Sequence, residues 1–132
     1  MIRYLAESEK FKVYSIYESV YMKNKLISKK INDFDDKDLF IANHYGDPND
    51  ALILTNEKFV VVSGCGLSIY NIENNNDNHI LDDSDNITWT NGLHQDGQDD
   101  QNREVRFVAF NKKNQLKVFK IDLISMKITE LE

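Results

Sequence analysis

The chain of 132 residues has little cysteine, little proline and no long apolar run. Cys65 is the single cysteine, which excludes the internal disulfide framework that small secreted domains use. No uninterrupted apolar run exceeds four residues, as at 59–62, whereas a membrane-spanning helix needs about 20. Residues 1–10 contain Glu7 and Glu9 where a signal peptide has an apolar stretch. We therefore expect a cytoplasmic protein with no membrane segment.

Length and composition predict a single domain spanning residues 1–132. The chain is 41% hydrophobic and 11% aromatic, which is more apolar than a disordered segment. A chain of this size buries about two-thirds of its unfolded surface. A core of that extent is stable without a metal or disulfide, and we expect no cofactor.

The charge of the chain is unevenly distributed. The 22 acidic and 16 basic residues give a net charge of −6, which disfavours nucleic-acid binding. Residues 71–102 contain eight acids and no Lys or Arg, and residues 31–50 contain six Asp and one Lys. The same two regions are rich in Asn and Gly, the residues of turns and loops. The pattern predicts acidic loops on a scaffold that is otherwise net basic.

The spacing of β-branched and aromatic residues predicts a mainly-β fold. The predicted strands are 39–44, 51–55, 58–63, 67–72, 86–90, 103–110, 115–122 and 126–131. Residues 11–22 fit either a strand or one short helix near the N-terminus, because Val13, Ile16, Tyr17 and Val20 share a helical face. We expect a single-domain antiparallel meander built from blade-like hairpins, or a sandwich.

A weak internal repeat supports the blade-like alternative. Residues 67–73 and 116–122 share a pattern of apolar, polar, β-branched, aromatic, polar, Ile and acid, at an offset of 49. Propeller blades repeat every 40–50 residues or so, and the second copy resembles the outer hairpin of a blade. A closed propeller needs at least about four blades, which this length excludes.

Catalytic and metal-binding patterns are lacking. His44, His79, His94 and Cys65 are too scattered in sequence to predict a zinc site. Cys65 lies between two glycines, which indicates a tight turn rather than a reactive thiolate in a basic setting. Phosphate-binding loops, nucleophile elbows and dinucleotide fingerprints are absent from the sequence. We therefore expect a protein that is not an enzyme.

The acidic loops are the best candidates for binding a partner. Trp89 and His94 interrupt the second acidic region, and Trp within charged surroundings is typical of a binding hot spot. The candidate partner-binding residues are Asp35, Asp36, Asp47, Asp77, Asp82, Asp83, Asp85, Trp89, His94, Asp96, Asp99 and Asp100.

A small acidic chain, rich in Asn, Ile and Lys and without a catalytic motif, resembles the immunity proteins of bacterial polymorphic toxin systems, including contact-dependent growth inhibition. The acidic regions 33–50 and 73–100 carry this resemblance. It implies a toxin inhibitor whose acidic loops occlude the active site of a cognate basic toxin domain, an RNase or a DNase. The alternatives are a non-enzymatic structural or interaction subunit of another assembly, or a small β-domain enzyme.

Overall fold

The computed structural model describes residues 2–81, 88–97, 101 and 103–131, and these ranges contain twelve antiparallel strands and no helix. The mainly-β prediction is confirmed, whereas the alternative prediction of one short helix near the N-terminus is wrong. Residues 11–22 belong to two strands that reverse at Tyr17, which has a positive φ of 53°. Helical periodicity was misleading here because Val13, Tyr14 and Ser15 are all buried, so the expected alternation of a strand is lost.

The strands form three four-stranded meanders, in each of which sequence neighbours pair with one another. The first sheet contains β1 (Ile2–Glu7), β2 (Phe11–Ile16), β3 (Ser19–Asn24) and β4 (Leu39–Asn43). The second sheet contains β5 (Asp50–Ile53), β6 (Phe59–Gly64), β7 (Gly66–Asn71) and β8 (Asn76–Ile80). The third sheet contains β9 (Asn91–His94), β10 (Glu104–Phe110), β11 (Leu116–Asp122) and β12 (Ile128–Glu130).

The second sheet packs between the other two and is covered on both faces. Val60 and Val62 of β6 join an apolar cluster with the first sheet, whereas Val61 joins a second cluster with the third sheet. All six residues of β6 are therefore buried. A strand buried on both faces reads as a continuous apolar run, which explains the sequence at 59–62.

The two copies of the internal repeat occupy equivalent places. Residues 67–71 form β7 and residues 116–122 form β11, and each is the third strand of its meander. In each sheet, the third strand pairs with the second and the fourth. The repeat therefore reflects a shared position in two successive meanders.

The meanders share an orientation that defines two ends of the molecule. At the upper end, the Arg3 guanidinium donates hydrogen bonds of 2.7 Å to the carbonyls of Pro48 and Asn49. At the lower end, the Ser8 hydroxyl donates to Glu57 Oε2 at 2.5 Å. The first strands β1 and β5 thus run side by side from the upper to the lower end. The 17–18, 44–49 and 65 connections all lie at the upper end.

The long connection between β3 and β4 covers the outer face of the first sheet. Lys23 is completely buried there, and its ammonium contacts Asp38 Oδ2 and the carbonyl of Asp33, both at 2.8 Å. The Tyr14 hydroxyl donates to the same Asp38 carboxylate at 2.5 Å. Burial, together with this hydrogen bond, raises the pKa of Tyr14. Phe34 packs edge-on against Tyr21 and extends the cover.

Candidate protein-binding surface

The upper end displays three large aromatic side chains beside two acids. Tyr17 is 69% exposed, Tyr45 is 70% exposed and Trp89 is 47% exposed. Glu18 follows Tyr17 in the β2–β3 turn, and Asp47 lies two residues after Tyr45. We call these five residues the acidic–aromatic surface.

Hydrogen bonds fix the two turns of this surface to each other. The Glu18 carboxylate accepts a hydrogen bond of 2.7 Å from the Gly46 amide, and the Glu18 carbonyl accepts one of 2.8 Å from the His44 amide. The Asp47 amide donates to the His44 carbonyl at 3.1 Å and closes the second turn. Tyr17 and Tyr45 are therefore presented from backbone that is already ordered, which reduces the entropy lost when a partner binds.

Trp89 is held over the second turn by its neighbours in the chain. Trp89 forms an isolated antiparallel bridge with Cys65. The Gly66 amide donates to the Thr88 carbonyl, and the Thr90 amide donates to the Gly64 carbonyl, both at 2.7 Å. These contacts fasten the strand segment on each side of Trp89 to the β6–β7 connection.

Gly46 is required beneath the Trp89 ring. A Cβ atom at this position would lie 2.9 Å from Cη2 of Trp89, closer than real Cβ contacts come. Gly46 also has φ of +73°, a left-handed conformation that glycine adopts without a steric penalty. The far edge of the indole therefore lies close to the backbone at Gly46, and Trp89 remains 47% exposed.

A buried polar cluster lies behind the surface. His44 Nε2 and Ser68 Oγ are 2.7 Å apart, and the His44 and His79 rings have centroids 4.7 Å apart. His79 Nε2 lies 2.9 Å from the Cys65 carbonyl. His44, Ser68 and Cys65 are each at most 4% exposed, so this cluster braces the turns from inside.

The structure thus brings together residues that are scattered in sequence. Cys65, His44 and His79 share this buried cluster, but His94 lies elsewhere, on β9. Within the described ranges, no group of three His, Cys, Asp or Glu side chains could hold a metal ion. The predicted tight turn at Cys65 is confirmed, because Gly64 and Gly66 pair directly across it.

Among the predicted binding residues, only Asp47 and Trp89 belong to the acidic–aromatic surface. Asp47 is exposed, and its carboxylate has no ion-pair partner in the described part of the chain. Sequence reasoning missed Tyr17, Glu18 and Tyr45. Tyr17 and Glu18 fell inside the segment 11–22, predicted as a strand or a short helix, whereas Tyr45 directly precedes the Gly-Asp-Pro turn, which was a usable signal.

Asp35 and Asp36 lie in the cover of the first sheet, away from this surface. The Asp35 carboxylate accepts hydrogen bonds of 3.1 Å from the amides of both Lys37 and Lys29. The Lys37 amide is the largest cause that holds the pKa of Asp35 well below its usual range, and the Lys29 amide adds to it. Asp35 is buried and organises its own loop, whereas Asp36 is exposed.

The remaining described candidates lie toward the lower end. Strand β9 descends from Thr90, and the Gln95 side chain that follows it accepts a hydrogen bond from the Thr55 amide in the β5–β6 connection. His94 is exposed on β9, and Asp96 pairs with Arg106 at 3.0 Å. Asp77 lies on β8 opposite Tyr70. The candidates Asp82, Asp83, Asp85, Asp99 and Asp100 lie outside the described residues.

Comparison with protein-family models, curated proteins and solved structures found no match to this chain. In the described ranges, no helix is long and apolar enough to cross a membrane.

Proposed function

We propose that this chain is a non-enzymatic binding protein whose acidic–aromatic surface engages a basic protein domain. In the form suggested by its resemblance to immunity proteins, the partner is a cognate bacterial toxin, an RNase or a DNase, and binding occludes its active site in the cytoplasm. The chain would then act stoichiometrically, one copy for each toxin molecule.

The observation that carries this proposal is the joint exposure of Tyr17 and Tyr45, on one hydrogen-bonded pair of turns, and of Trp89, which lies against the second of these turns. Tyr and Trp are the residues that most often dominate binding energy at protein interfaces. They bury a large area and lose few rotatable bonds when they are ordered. Three of them on adjoining segments supply the centre of an interface.

Charge supports a basic partner. Glu18 and Asp47 stand among the aromatic residues, and the Arg3 guanidinium nearby is directed at backbone carbonyls, not at these carboxylates. The net charge of −6 would speed encounter with a cationic domain. Nuclease toxins carry cationic surfaces because they bind phosphates, so acids in this position suit them.

The buried polar cluster supports binding over catalysis. A nucleophile must reach its substrate, but Cys65 and Ser68 are both enclosed, with exposures of 4% and 1%. His44, which lies beside Ser68, is completely buried. These groups are placed to hold the turns in position.

The proposal predicts a toxin domain encoded beside this gene and is tested by co-expression with that domain. We expect the wild-type chain to protect cells and to co-purify with the toxin domain. A Tyr45→Ala/Trp89→Ala variant should lose both properties. Ile124→Ala is the matched control, because Ile124 is 65% exposed but lies in the lower β11–β12 turn.

Cell death in the presence of well-expressed wild-type chain would contradict the proposal. Equal protection by the double aromatic variant and the Ile124→Ala control would remove this surface from the mechanism. Thermal unfolding of each purified variant shows that lost protection is not simply lost folding.

A further inference from the structure

A cavity of about 560 Å³ opens at the upper end, lined by the third sheet, the β10–β11 turn, and Leu81 and Thr88 of the β8–β9 connection. Its floor is apolar and includes Leu81, Phe107, Phe119 and Ile128. The two phenylalanines are cross-strand partners whose rings stack with centroids 5.6 Å apart and planes 18° apart. This volume lies within the range of about 300–1,000 Å³ that small-molecule sites occupy.

Lys117 places a positive charge on the wall of the cavity. It is paired with Ala109 across β10 and β11, and Ala109 is buried in the cluster between the two sheets. Directly paired residues of antiparallel strands point to the same face, so Lys117 lies on the covered face of the third sheet. Its ammonium makes no hydrogen bond or ion pair with any described residue.

Two further lysines stand at the mouth of the cavity. Lys112 and Lys113, in the β10–β11 turn, also line it, and neither ammonium is ion-paired within the described ranges. Among the described residues that line the cavity, Glu130 is the one acid. Its carboxylate accepts a hydrogen bond from the Asn111 side-chain amide at 3.2 Å. The described lining therefore has a surplus of positive charge, with three lysines and one acid, in a chain whose net charge is −6.

We propose that this cavity is a binding site for a small organic anion with an apolar, ring-sized body. The body would pack on the stacked Phe107 and Phe119 rings, and its carboxylate or sulfonate would accept a hydrogen bond from Lys117. The apolar floor supplies most of the binding energy through burial, and the lysine selects for charge. The site is separate from the acidic–aromatic surface, because none of the residues of that surface lines it.

The position of Lys117 favours this ligand class over a simple anion. A phosphate or chloride ion would leave the aromatic floor in contact with water. An uncharged apolar ligand would leave the Lys117 ammonium beside it without a partner, which costs free energy. A ligand with both an apolar body and an anionic group can contact the aromatic floor and the Lys117 ammonium at the same time.

The experiment compares two fluorescent probes that differ in charge. The anionic probe is anilinonaphthalene sulfonate, and N-phenyl-naphthylamine is its counterpart without the sulfonate. We expect saturable, one-site binding of the anionic probe to the folded wild-type chain. Lys117→Met should weaken that binding roughly tenfold, as loss of a charge-assisted hydrogen bond does, and should leave the uncharged probe unaffected.

Two variants on the same strand make the comparison specific. Lys120→Met removes a lysine from the opposite face of β11, where it pairs with Glu104 at 3.0 Å, and should change neither affinity. Phe119→Ala removes half of the floor and should weaken both probes.

Absence of one-site binding of the anionic probe to the wild-type chain would overturn the proposal. Equal effects of Lys117→Met and Lys120→Met would also overturn it, because binding would then follow net charge. An unfolding transition measured for every variant excludes dye uptake by a loosened core.

Discussion

The buried Lys23 side chain depends on one carboxylate for its charge balance. Its ammonium and the Asp38 carboxylate are 2.8 Å apart, with exposures of 0% and 1%. Asp38 also accepts the hydrogen bond of the Tyr14 hydroxyl, and Lys23 donates to the Asp33 carbonyl. A buried pair of this kind adds modestly to stability, but removal of one partner leaves the other charge buried and unpaired.

We predict that Lys23→Met lowers the free energy of unfolding by about 3–5 kcal/mol, because Asp38 is left buried without its cation. Lys25→Met is the control, since Lys25 pairs at 2.8 Å with Glu7, whose side chain is 52% exposed. We expect that variant to lose at most about 1 kcal/mol. Urea unfolding monitored by circular dichroism measures both values, and similar losses would contradict this account of Lys23.

Asp35 makes the stability of the chain sensitive to acid. Its folded-state pKa lies below the ordinary value of 3.8, chiefly because the Lys37 amide stabilises the carboxylate. The contribution is therefore complete above the unfolded-state pKa and is lost as the pH falls through the folded-state pKa. We predict that the free energy of unfolding falls below about pH 4, and less steeply in Asp35→Asn. Parallel pH profiles for variant and wild type would show that Asp35 is not involved.

At the scale of elements, β6 differs from every strand that has one face in water. Val60 and Val61 point to opposite faces, yet both are completely buried because a sheet covers each side. On β11, by contrast, Ile121 is buried and Val118 is 40% exposed. The tolerance to polar substitution should follow this difference.

We predict that Val60→Thr and Val61→Thr each lower the free energy of unfolding by about 1–3 kcal/mol, because each buries a hydroxyl in an apolar cluster. Val118→Thr makes the same chemical change on an exposed face and should stay within about 0.5 kcal/mol of the wild type. Chemical denaturation of the three variants checks this. A tolerated Val60→Thr or Val61→Thr would mean that one face of the second sheet is open.

The sequence was informative for elements with strong patterns and misleading for the others. Strands β7 and β11 were predicted from the spacing of their β-branched and aromatic residues, and both are third strands. Strand β8 was overlooked because residues 74–78 are Asn- and Asp-rich and read as a turn. It is an edge strand whose first three residues are exposed, so burial did not shape its composition. The predicted strand at 86–90 is wrong over 88–90, where Trp89 makes a single bridge and β9 begins at Asn91.

The candidate surface was only partly predictable for a related reason. Trp89 and Asp47 could be selected from composition and charge. Their association with Tyr17 and Tyr45 depends on the stacking of the sheets, which brings the 17–18, 44–47 and 89 segments to one end. The local sequence of each segment does not indicate which distant segments it will contact in the folded chain. Charge alone also grouped Asp35 with the binding residues, although its oxygens are engaged by its own loop.

At the scale of the whole molecule, the two faces of the second sheet join three meanders through two apolar clusters. As a result, the upper end of the molecule consists of turns that are supported by the packed sheets beneath them. The acidic–aromatic surface lies where the first and second sheets meet, and the cavity lies against the third sheet. A partner and a small ligand would therefore occupy different parts of the same end.

The most direct measurement is the dissociation constant between this chain and the toxin domain that the proposal predicts beside its gene, determined for the wild type, Trp89→Ala and Ile124→Ala. Trp89 is the single tryptophan, and a central interface aromatic contributes about 2 kcal/mol or more. We predict that Trp89→Ala weakens binding by roughly 30-fold or more, whereas Ile124→Ala binds as the wild type does. Equal dissociation constants for the three proteins, or no complex with the wild type, would contradict the account.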